Sequence, residues 1–141
     1  MTIWAKAFSL ADLTALGRQT AAESCGIEFT QFGADWLEGT MPLDERTVGT
    51  DGSMHPGSLA ILAETLGSVA ANLCIDGSRQ VCVGQILHLN HPVRVNSGPI
   101  RARASVRIIQ KDNHVWEVEM RDPLGAAVCV ARVTMAVLRK D

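Results

Sequence analysis

The most regular hydrophobic pattern in the chain lies between residues 56 and 75. Large aliphatic residues recur there every three or four positions, with small residues between them; the set is Leu59, Leu62, Leu66, Val69 and Leu73. This spacing predicts a helix, and because the segment is apolar on nearly every side, the helix is expected to be buried. Pro56 suits its first position, and the Asp-Gly-Ser stretch at 76–78 is typical of a helix end.

Alternating patterns typical of strands occur on both sides of this helix. Before it, residues 27–32 and 36–42 alternate around a turn at 33–35 and predict a hairpin. After it, longer segments rich in β-branched residues predict further strands at 80–90, 98–110, 114–121 and 127–138. A short helix, capped by Ser9 and ending near Glu23, is predicted before the hairpin.

The order of these elements predicts an α+β fold in a single domain over residues 1–141. A short helix and a hairpin come first, then the long helix, then a meander of antiparallel strands. Such a sheet has one apolar face to cover, so we expect it to curl around the long helix. A neighbouring subunit would cover the rest of the helix. We therefore expect a homo-oligomer, either a dimer or a dimer of dimers.

One carboxylate interrupts the apolar helix. Apart from Asp51, Glu64 is the only charged residue between Arg46 and Asp76. Burying an ionised carboxylate is unfavourable unless the group is paired or has a chemical task. Glu64 is therefore the first candidate for a catalytic residue. The alternative is a structural carboxylate that is paired across a subunit interface.

Composition and charge argue against several classes of function. The 141 residues are 47% hydrophobic and 20% charged, with a net charge of −2 and no basic block, which disfavours nucleic acid as a partner. The N-terminus lacks the regions of a signal peptide, and Glu64 and Asn72 make a membrane-spanning role for the long helix unfavourable, so we expect a cytoplasmic protein. The cysteines and histidines show no metal-ligand spacing, and no metal site is predicted.

Short motifs are spread in order over nearly the whole chain. They are Trp4, Gly-Ile-Glu-Phe at 26–29, Glu-Gly-Thr-Met-Pro at 38–42, His-Pro-Gly at 55–57, Leu-Ala-Glu-Thr-Leu-Gly-Ser at 62–68, Val-Gly at 83–84, Asn-His at 90–91 and Val-Trp-Glu-Val at 115–118. Together they resemble the hotdog-fold acyl-CoA thioesterases. The most similar branch holds the phenylacetate-degradation, 1,4-dihydroxy-2-naphthoyl-CoA and Arthrobacter-type 4-hydroxybenzoyl-CoA thioesterases. The resemblance implies a hotdog fold, in which a curved antiparallel sheet wraps a long central helix.

The resemblance also implies a reaction and its residues. In that family, amide groups at the start of the helix stabilise the developing oxyanion of the thioester, and a carboxylate from across the dimer interface attacks the carbonyl or activates water. Carried over to this chain, Glu64 is that carboxylate, and Ser68 one turn later would orient water or substrate. His55 would shape the carbonyl pocket at the helix entry. The favoured alternative for Ser68 is a small residue that allows helix–helix packing, and the alternative for His55 is a helix-entry residue bonded to the backbone. Coenzyme A enters as part of the acyl-CoA substrate, so no separate cofactor is implied.

Two positions that precede Glu64 in the sequence depart from the family pattern. The family's His-Gly-Gly binds the oxyanion through the N–H of its first Gly, but this position is Pro56 here, and proline has no N–H. Either the N–H of Gly57 or the imidazole of His55 then supplies the donor, or hydrolysis is weak. The second departure is Gly49, which stands where the branch often has a Gln that helps to fix the carboxylate or the carbonyl.

By the same resemblance, several later residues would contact coenzyme A. Gly84 and the segment 90–94, which includes His91 and Arg94, would line the slot for the pantetheine arm. Arg94 is displaced by one residue, after an inserted proline, relative to the family. Lys111 falls where related enzymes bind nucleotide phosphates. The alternative for Arg94 and Lys111 is a solvated surface.

The leading hypothesis is an acyl-CoA thioesterase that acts on an aromatic or medium-chain acyl group. Pro56 and Gly49 keep a second hypothesis open, a hotdog protein that binds acyl-CoA or another ligand without hydrolysing it. A hydratase or dehydratase of the same fold is the least consistent with the sequence. The chain shows no His–Asp or His–Glu pairing of the kind that these enzymes use.

Overall fold

The computed structural model describes residues 1–141 and contains three helices and six strands. In chain order they are α1 (Leu10–Leu16), α2 (Ala21–Ser24), β1 (Glu28–Phe32), β2 (Trp36–Met41), α3 (Pro56–Leu73), β3 (Gln80–Asn90), β4 (Ile100–Ile109), β5 (Asn113–Arg121) and β6 (Ala127–Arg139). All the strands join one antiparallel sheet in the order β1-β2-β4-β5-β6-β3. The α+β architecture with a hairpin, a long helix and later strands is confirmed.

The predicted meander is correct only for β4, β5 and β6. Strand β3 pairs with β6 instead of with β4. The reason is the connection at residues 91–99, which is long enough to carry the chain to the other side of the sheet, where β4 pairs with β2. Strand β3 thereby becomes one edge of the sheet, and β1 forms the other.

Helix α3 packs against strands β2 to β6, and Pro56 is its only exposed residue. Leu62 and Leu66 are fully buried in this contact. At Gly67 the helix lies so close to β6 that an added Cβ atom would be 3.2 Å from Val133. The prediction of a helix buried on nearly every side is therefore confirmed. None of the helices combines the length and apolar character that crossing a membrane requires.

The two faces of the sheet differ in polarity, as the alternating sequence predicts. On β5, Trp116, Val118 and Met120 are fully buried against the helix layer. The residues between them point outward, where Glu117 pairs with Arg107 at 2.8 Å. The arginine side chains of β4 thus form a charged outer face, and the hydrophobic core lies between that sheet and α3.

The N-terminal helix is shorter than predicted, and this expectation was wrong. The segment expected to run from Ser9 to Glu23 consists of two helices, α1 and α2, joined by a turn. Ser9 begins α1 with a capping box, as its sequence suggested, but Gly17 ends that helix. Gln19 has a φ of 61°, which a right-handed helix does not allow, and Thr20 then caps α2. The chain therefore forms a corner at residues 17–20.

Strand β3 has an open edge. It is eleven residues long, and residues 83–88 are all exposed. Three of the exposed side chains are large and apolar: Val83, Ile86 and Leu87. A long apolar edge strand has unpaired backbone groups that readily pair with another strand.

Candidate active site

Glu64 lies midway along α3, directly against β3. Its carboxylate occupies the space above Gly84, where a Cβ atom would lie only 2.9 Å from the Glu64 carboxyl carbon. The absence of a side chain at Gly84 therefore makes room for the carboxylate. The structure brings these two predicted site residues into contact.

The Glu64 carboxylate is half-buried and has no partner in the chain. Burial raises the pKa of Glu64, and no neighbouring cation or hydrogen-bond donor offsets this effect. An unpaired carboxylate in such surroundings accepts a proton more readily than an exposed one. Its state suits a general base or a nucleophile.

A small apolar cavity lies beside Glu64, under the corner between α1 and α2. Its volume is about 260 Å³. Among its lining residues are Leu13, Leu16, Phe29, Ser68 and Val69. Glu64 is the only charged residue in the lining, and Ser68, the predicted partner one turn later, shares the cavity with it. The apolar residues from α1 and β1 were not anticipated, because they are distant from Glu64 in sequence.

Asn72 fixes β3 against the helix next to this cavity. Its Nδ2 donates to the carbonyl oxygens of Ser68, at 2.9 Å, and Cys82, at 3.0 Å. The Cys82 N–H in turn donates to Asn72 Oδ1 at 2.9 Å. These bonds hold the start of β3, and hence Gly84, in position beside Glu64. A polar residue in an otherwise apolar helix was the signal that could have identified Asn72.

A second cleft, of about 460 Å³, opens at the start of α3. It brings together four of the predicted site residues: Gly49, His55, His91 and Arg94. His55 is the N-cap of the helix, and its Nδ1 accepts a hydrogen bond of 2.8 Å from the N–H of Gly57. The Gly57 N–H is therefore already engaged within the helix entry.

Arg94 is held by an acidic partner inside this cleft. It pairs with the Asp51 carboxylate at 3.0 Å and donates to the Asp51 carbonyl oxygen at 3.0 Å. Hydrogen bonds from the side chain and backbone of Ser53 keep the pKa of Asp51 below its ordinary value. Asp51 was missed as a site residue, although its charge in a polar loop was visible. Gly49 contributes only backbone, and its N–H donates to the Ser53 carbonyl at 2.7 Å.

The two groups of residues are separate within one chain. His55 and Glu64 are nine residues apart on α3, which corresponds to about 13 Å along the axis. A single thioester carbonyl cannot contact both. Lys111 belongs to neither group, since it lies exposed in the turn between β4 and β5.

Comparisons with known proteins identify the family of this chain. The Thioesterase superfamily model matches residues 51–129, which include α3 and every predicted site residue except Gly49. The 1,4-dihydroxy-2-naphthoyl-CoA hydrolase of Escherichia coli is 35% identical over 136 residues, which are 96% of this chain and 98% of that protein. The proofreading thioesterase EntH of Cronobacter turicensis is 37% identical over 137 residues, covering 96% of this chain and 98% of EntH.

A crystal structure supports the same assignment. Thioesterase HI1161 of Haemophilus influenzae superposes with a TM-score of 0.94 at 37% identity, covering 98% of this chain and 96% of that one. The two chains therefore share one fold. The chain therefore belongs to the thioesterase superfamily, as a hotdog-fold enzyme that hydrolyses thioesters.

Proposed function

We propose that this enzyme hydrolyses acyl-CoA thioesters with an aromatic or medium-chain acyl group, and that Glu64 is its catalytic carboxylate. The observation that carries the proposal is the state of Glu64, which is half-buried, unpaired within the chain and next to an apolar cavity. The Escherichia coli relative supports the substrate class, because its named substrate is an aromatic acyl-CoA.

The donor for the thioester oxygen is proposed to be the His55 imidazole. Of the two alternatives that Pro56 leaves open, the Gly57 N–H is already donated to His55 Nδ1. An imidazole nitrogen that accepts a hydrogen bond carries no proton, so the proton of the neutral ring is on Nε2. Nε2–H is then free to stabilise an oxyanion at the positive end of the helix dipole.

We propose that the site is completed by a second copy of the chain. The open edge of β3 can pair with the β3 strand of that copy, which would bury Ile86 and other exposed apolar side chains. Antiparallel pairing brings the end of one β3, which leads to His91 and the helix-entry cleft, toward the Gly84 region of the other. Glu64 would then face the partner's His55. One thioester carbonyl could contact both residues, because they would come from different chains and the separation of roughly 13 Å within one chain would not apply.

The reaction follows from these positions. In the general-base form, Glu64 takes a proton from water as the water oxygen bonds to the carbonyl carbon. The oxyanion that forms is stabilised by the partner's His55. When the C–S bond breaks, its electron pair leaves with sulfur, and the proton on Glu64 passes to the thiolate of coenzyme A. In the nucleophilic form, Glu64 itself bonds to the carbonyl carbon, the C–S bond breaks and coenzyme A leaves as its thiolate. Water then hydrolyses the mixed anhydride, which frees Glu64 and the acid, and one proton of that water passes to the thiolate.

The cleft at the helix entry is the proposed path of the pantetheine arm, with Gly49, His91 and Arg94 along it. Its volume of about 460 Å³ and open polar rim suit an extended chain with amide groups. Because Asp51 already neutralises Arg94, the contribution of Arg94 to phosphate binding is expected to be small. Lys111 would reach coenzyme A only through the second copy.

Release of free thiol from a panel of acyl-CoA esters tests the proposed function. The panel contains acetyl, hexanoyl, benzoyl, phenylacetyl and 2-naphthoyl esters, and we expect turnover of the aromatic and hexanoyl members. Tight binding of these esters without thiol release would contradict hydrolysis and favour the non-catalytic alternative.

We expect Gly84→Ala to reduce activity while leaving the fold intact. The new methyl group would lie 2.9 Å from the Glu64 carboxyl carbon, so the carboxylate must move. The end of a flexible side chain moves easily, so the melting temperature should change little. A displacement of about 1 Å in a reacting group costs up to roughly 100-fold in rate, and we expect a decrease in kcat of about 10- to 100-fold.

The matched control is Gly77→Ala, at which an added Cβ meets no atom within 4 Å. Thiol release and thermal unfolding are measured for both variants. Equal activity of Gly84→Ala and wild type would show that the position of Glu64 does not limit the reaction.

A further inference from the structure

One exposed apolar side chain stands at the mouth of the cavity beside Glu64. Leu16, the last residue of α1, is 67% exposed, yet it lines this cavity together with the buried Leu13. A single exposed leucine needs no explanation on most surfaces. Here it lies where an apolar group bound next to Glu64 would cover it.

The corner that follows Leu16 has a defined shape. Gly17 ends α1. The Thr20 hydroxyl makes two hydrogen bonds to the backbone: it donates to the Gly17 carbonyl at 2.6 Å and accepts from the N–H of Ala22 at 3.2 Å. A capping box fixes the other end of α1. The position of Leu16 over the cavity is thus set by the fold around it.

The polar groups of the cavity are few. The Thr20 hydroxyl is engaged by the backbone, as described above. Thr65 and Ser68 each have a hydroxyl with no partner in the chain, and Glu64 is the only charge. No cation of this chain lines the cavity, so within one chain an acyl group that ends in a carboxylate meets only the negative charge of Glu64.

We propose that the corner made by Leu16 and residues 17–20 is the wall that limits acyl size, and that the cavity accepts uncharged acyl groups and rejects dicarboxylic ones. The inference rests on the proposed function, since it makes this cavity the acyl site of that reaction. A volume of about 260 Å³ is below the range of roughly 300–1,000 Å³ that is typical of pockets for drug-sized ligands. It fits one aromatic ring or a short alkyl chain better than a long one.

Leu16 is also the wall residue that can be changed without disturbing the core. Leu13 and Phe29 are 1% and 8% exposed and belong to the hydrophobic core, whereas Leu16 does not. Leu16→Ala would enlarge the cavity mouth, and Leu16→Trp would narrow it. Leu124→Ala is the matched control, because Leu124 is 95% exposed in the turn between β5 and β6.

The test measures kcat/KM for acetyl, benzoyl, 2-naphthoyl and succinyl esters of coenzyme A. It also measures Kd for non-hydrolysable thioether analogues of the same four. We expect Leu16→Ala to raise the preference for naphthoyl over acetyl by about 10-fold, and Leu16→Trp to lower it by a similar factor, the scale of a change in pocket size. Succinyl should be the poorest ligand throughout.

The two measurements separate the inference from the function on which it rests. Absence of turnover in the wild type, with Kd values that shift as expected in the Leu16 variants, would overturn the proposed function and keep the acyl pocket. If the enzyme turns over the esters but the preference for naphthoyl over acetyl is the same in the Leu16 variants and in Leu124→Ala, the cavity beside Glu64 is not the acyl site. Tight binding of the succinyl analogue would contradict the assignment of this cavity as well.

Discussion

We expect Glu64→Gln to lower kcat for thioester hydrolysis by roughly 10²- to 10⁴-fold, the range typical of losing a general base. The amide has nearly the same shape as the carboxylate but cannot accept the proton from water or attack the carbonyl carbon. Substrate binding should change much less, because the cavity and the helix-entry cleft keep their lining. The loss is therefore expected in kcat and not in KM.

The stability of the same variant distinguishes catalysis from a structural role. Burial raises the pKa of Glu64, so the folded state disfavours the ionised form relative to the unfolded chain. That unfavourable contribution is absent at low pH and develops as the pH rises through the unfolded pKa. Glu64→Gln removes it, so at pH 7 the variant should be as stable as wild type or more stable. A structural carboxylate paired across an interface would instead leave the variant destabilised.

The pH profile provides a third readout. Only ionised Glu64 can act as base or nucleophile, so wild-type activity should fall as the pH drops through its raised pKa, above the range of an ordinary carboxyl group. This acid limb should be missing from the residual activity of Glu64→Gln. Glu45→Gln, which changes an exposed carboxylate, is the control. Full activity in Glu64→Gln would show that Glu64 is not the catalytic carboxylate.

The elements that the sequence predicted well are those in which one physical pattern dominates. The apolar repeat from Leu59 to Leu73 could only be satisfied by a buried helix, and the structure ends that helix two residues before the predicted end at 75. The break at residues 17–20 was missed for the opposite reason. Leu13, Leu16 and Ala21 continue a helical period across the turn, so periodicity alone did not reveal it. Gly17 and the capping residue Thr20 were the available signals.

The site divides in the same way. A lone carboxylate in an apolar helix makes Glu64 a candidate catalytic residue without any knowledge of its surroundings. The rest of both site groups depends on contacts between separate segments of the chain, such as Asn72 with Cys82 beside Glu64 and Arg94 with Asp51 in the helix-entry cleft. No local pattern specifies such pairs. The place of Leu16 in the lining of the cavity beside Glu64 could not be predicted from the sequence for the same reason.

We expect His55→Asn to lower kcat by about 10²- to 10³-fold, the usual loss when one oxyanion donor is removed. Asn is a good N-cap, so its side-chain oxygen can still accept from the Gly57 N–H and keep the helix start folded. Its shorter side chain does not place a donor where Nε2–H of His55 stood. Nearly wild-type activity in this variant would show that His55 is only a cap.

Adding Pro56→Gly to His55→Asn tests the same role in the opposite direction. The glycine supplies an N–H at the first helical position, which Pro56 lacks. If the reaction needs a donor there, the double variant should recover part of the lost kcat. If His55→Asn is inactive because the helix start is distorted, glycine, a poorer helix former, should make it worse.

Mixing two inactive variants tests whether one site is built from two chains. A dimer of His55→Asn with Glu64→Gln has one site in which a native Glu64 faces a native His55, provided that these residues come from different subunits. Activity should therefore rise after subunit exchange to well above the residual activity of either variant alone. The separation of about 13 Å between the two residues along one helix makes a site within a single chain too wide for one carbonyl. Tagged subunits verify that exchange has occurred. If the mixture still shows no gain in activity, the partner's His55 is not the donor to the thioester carbonyl.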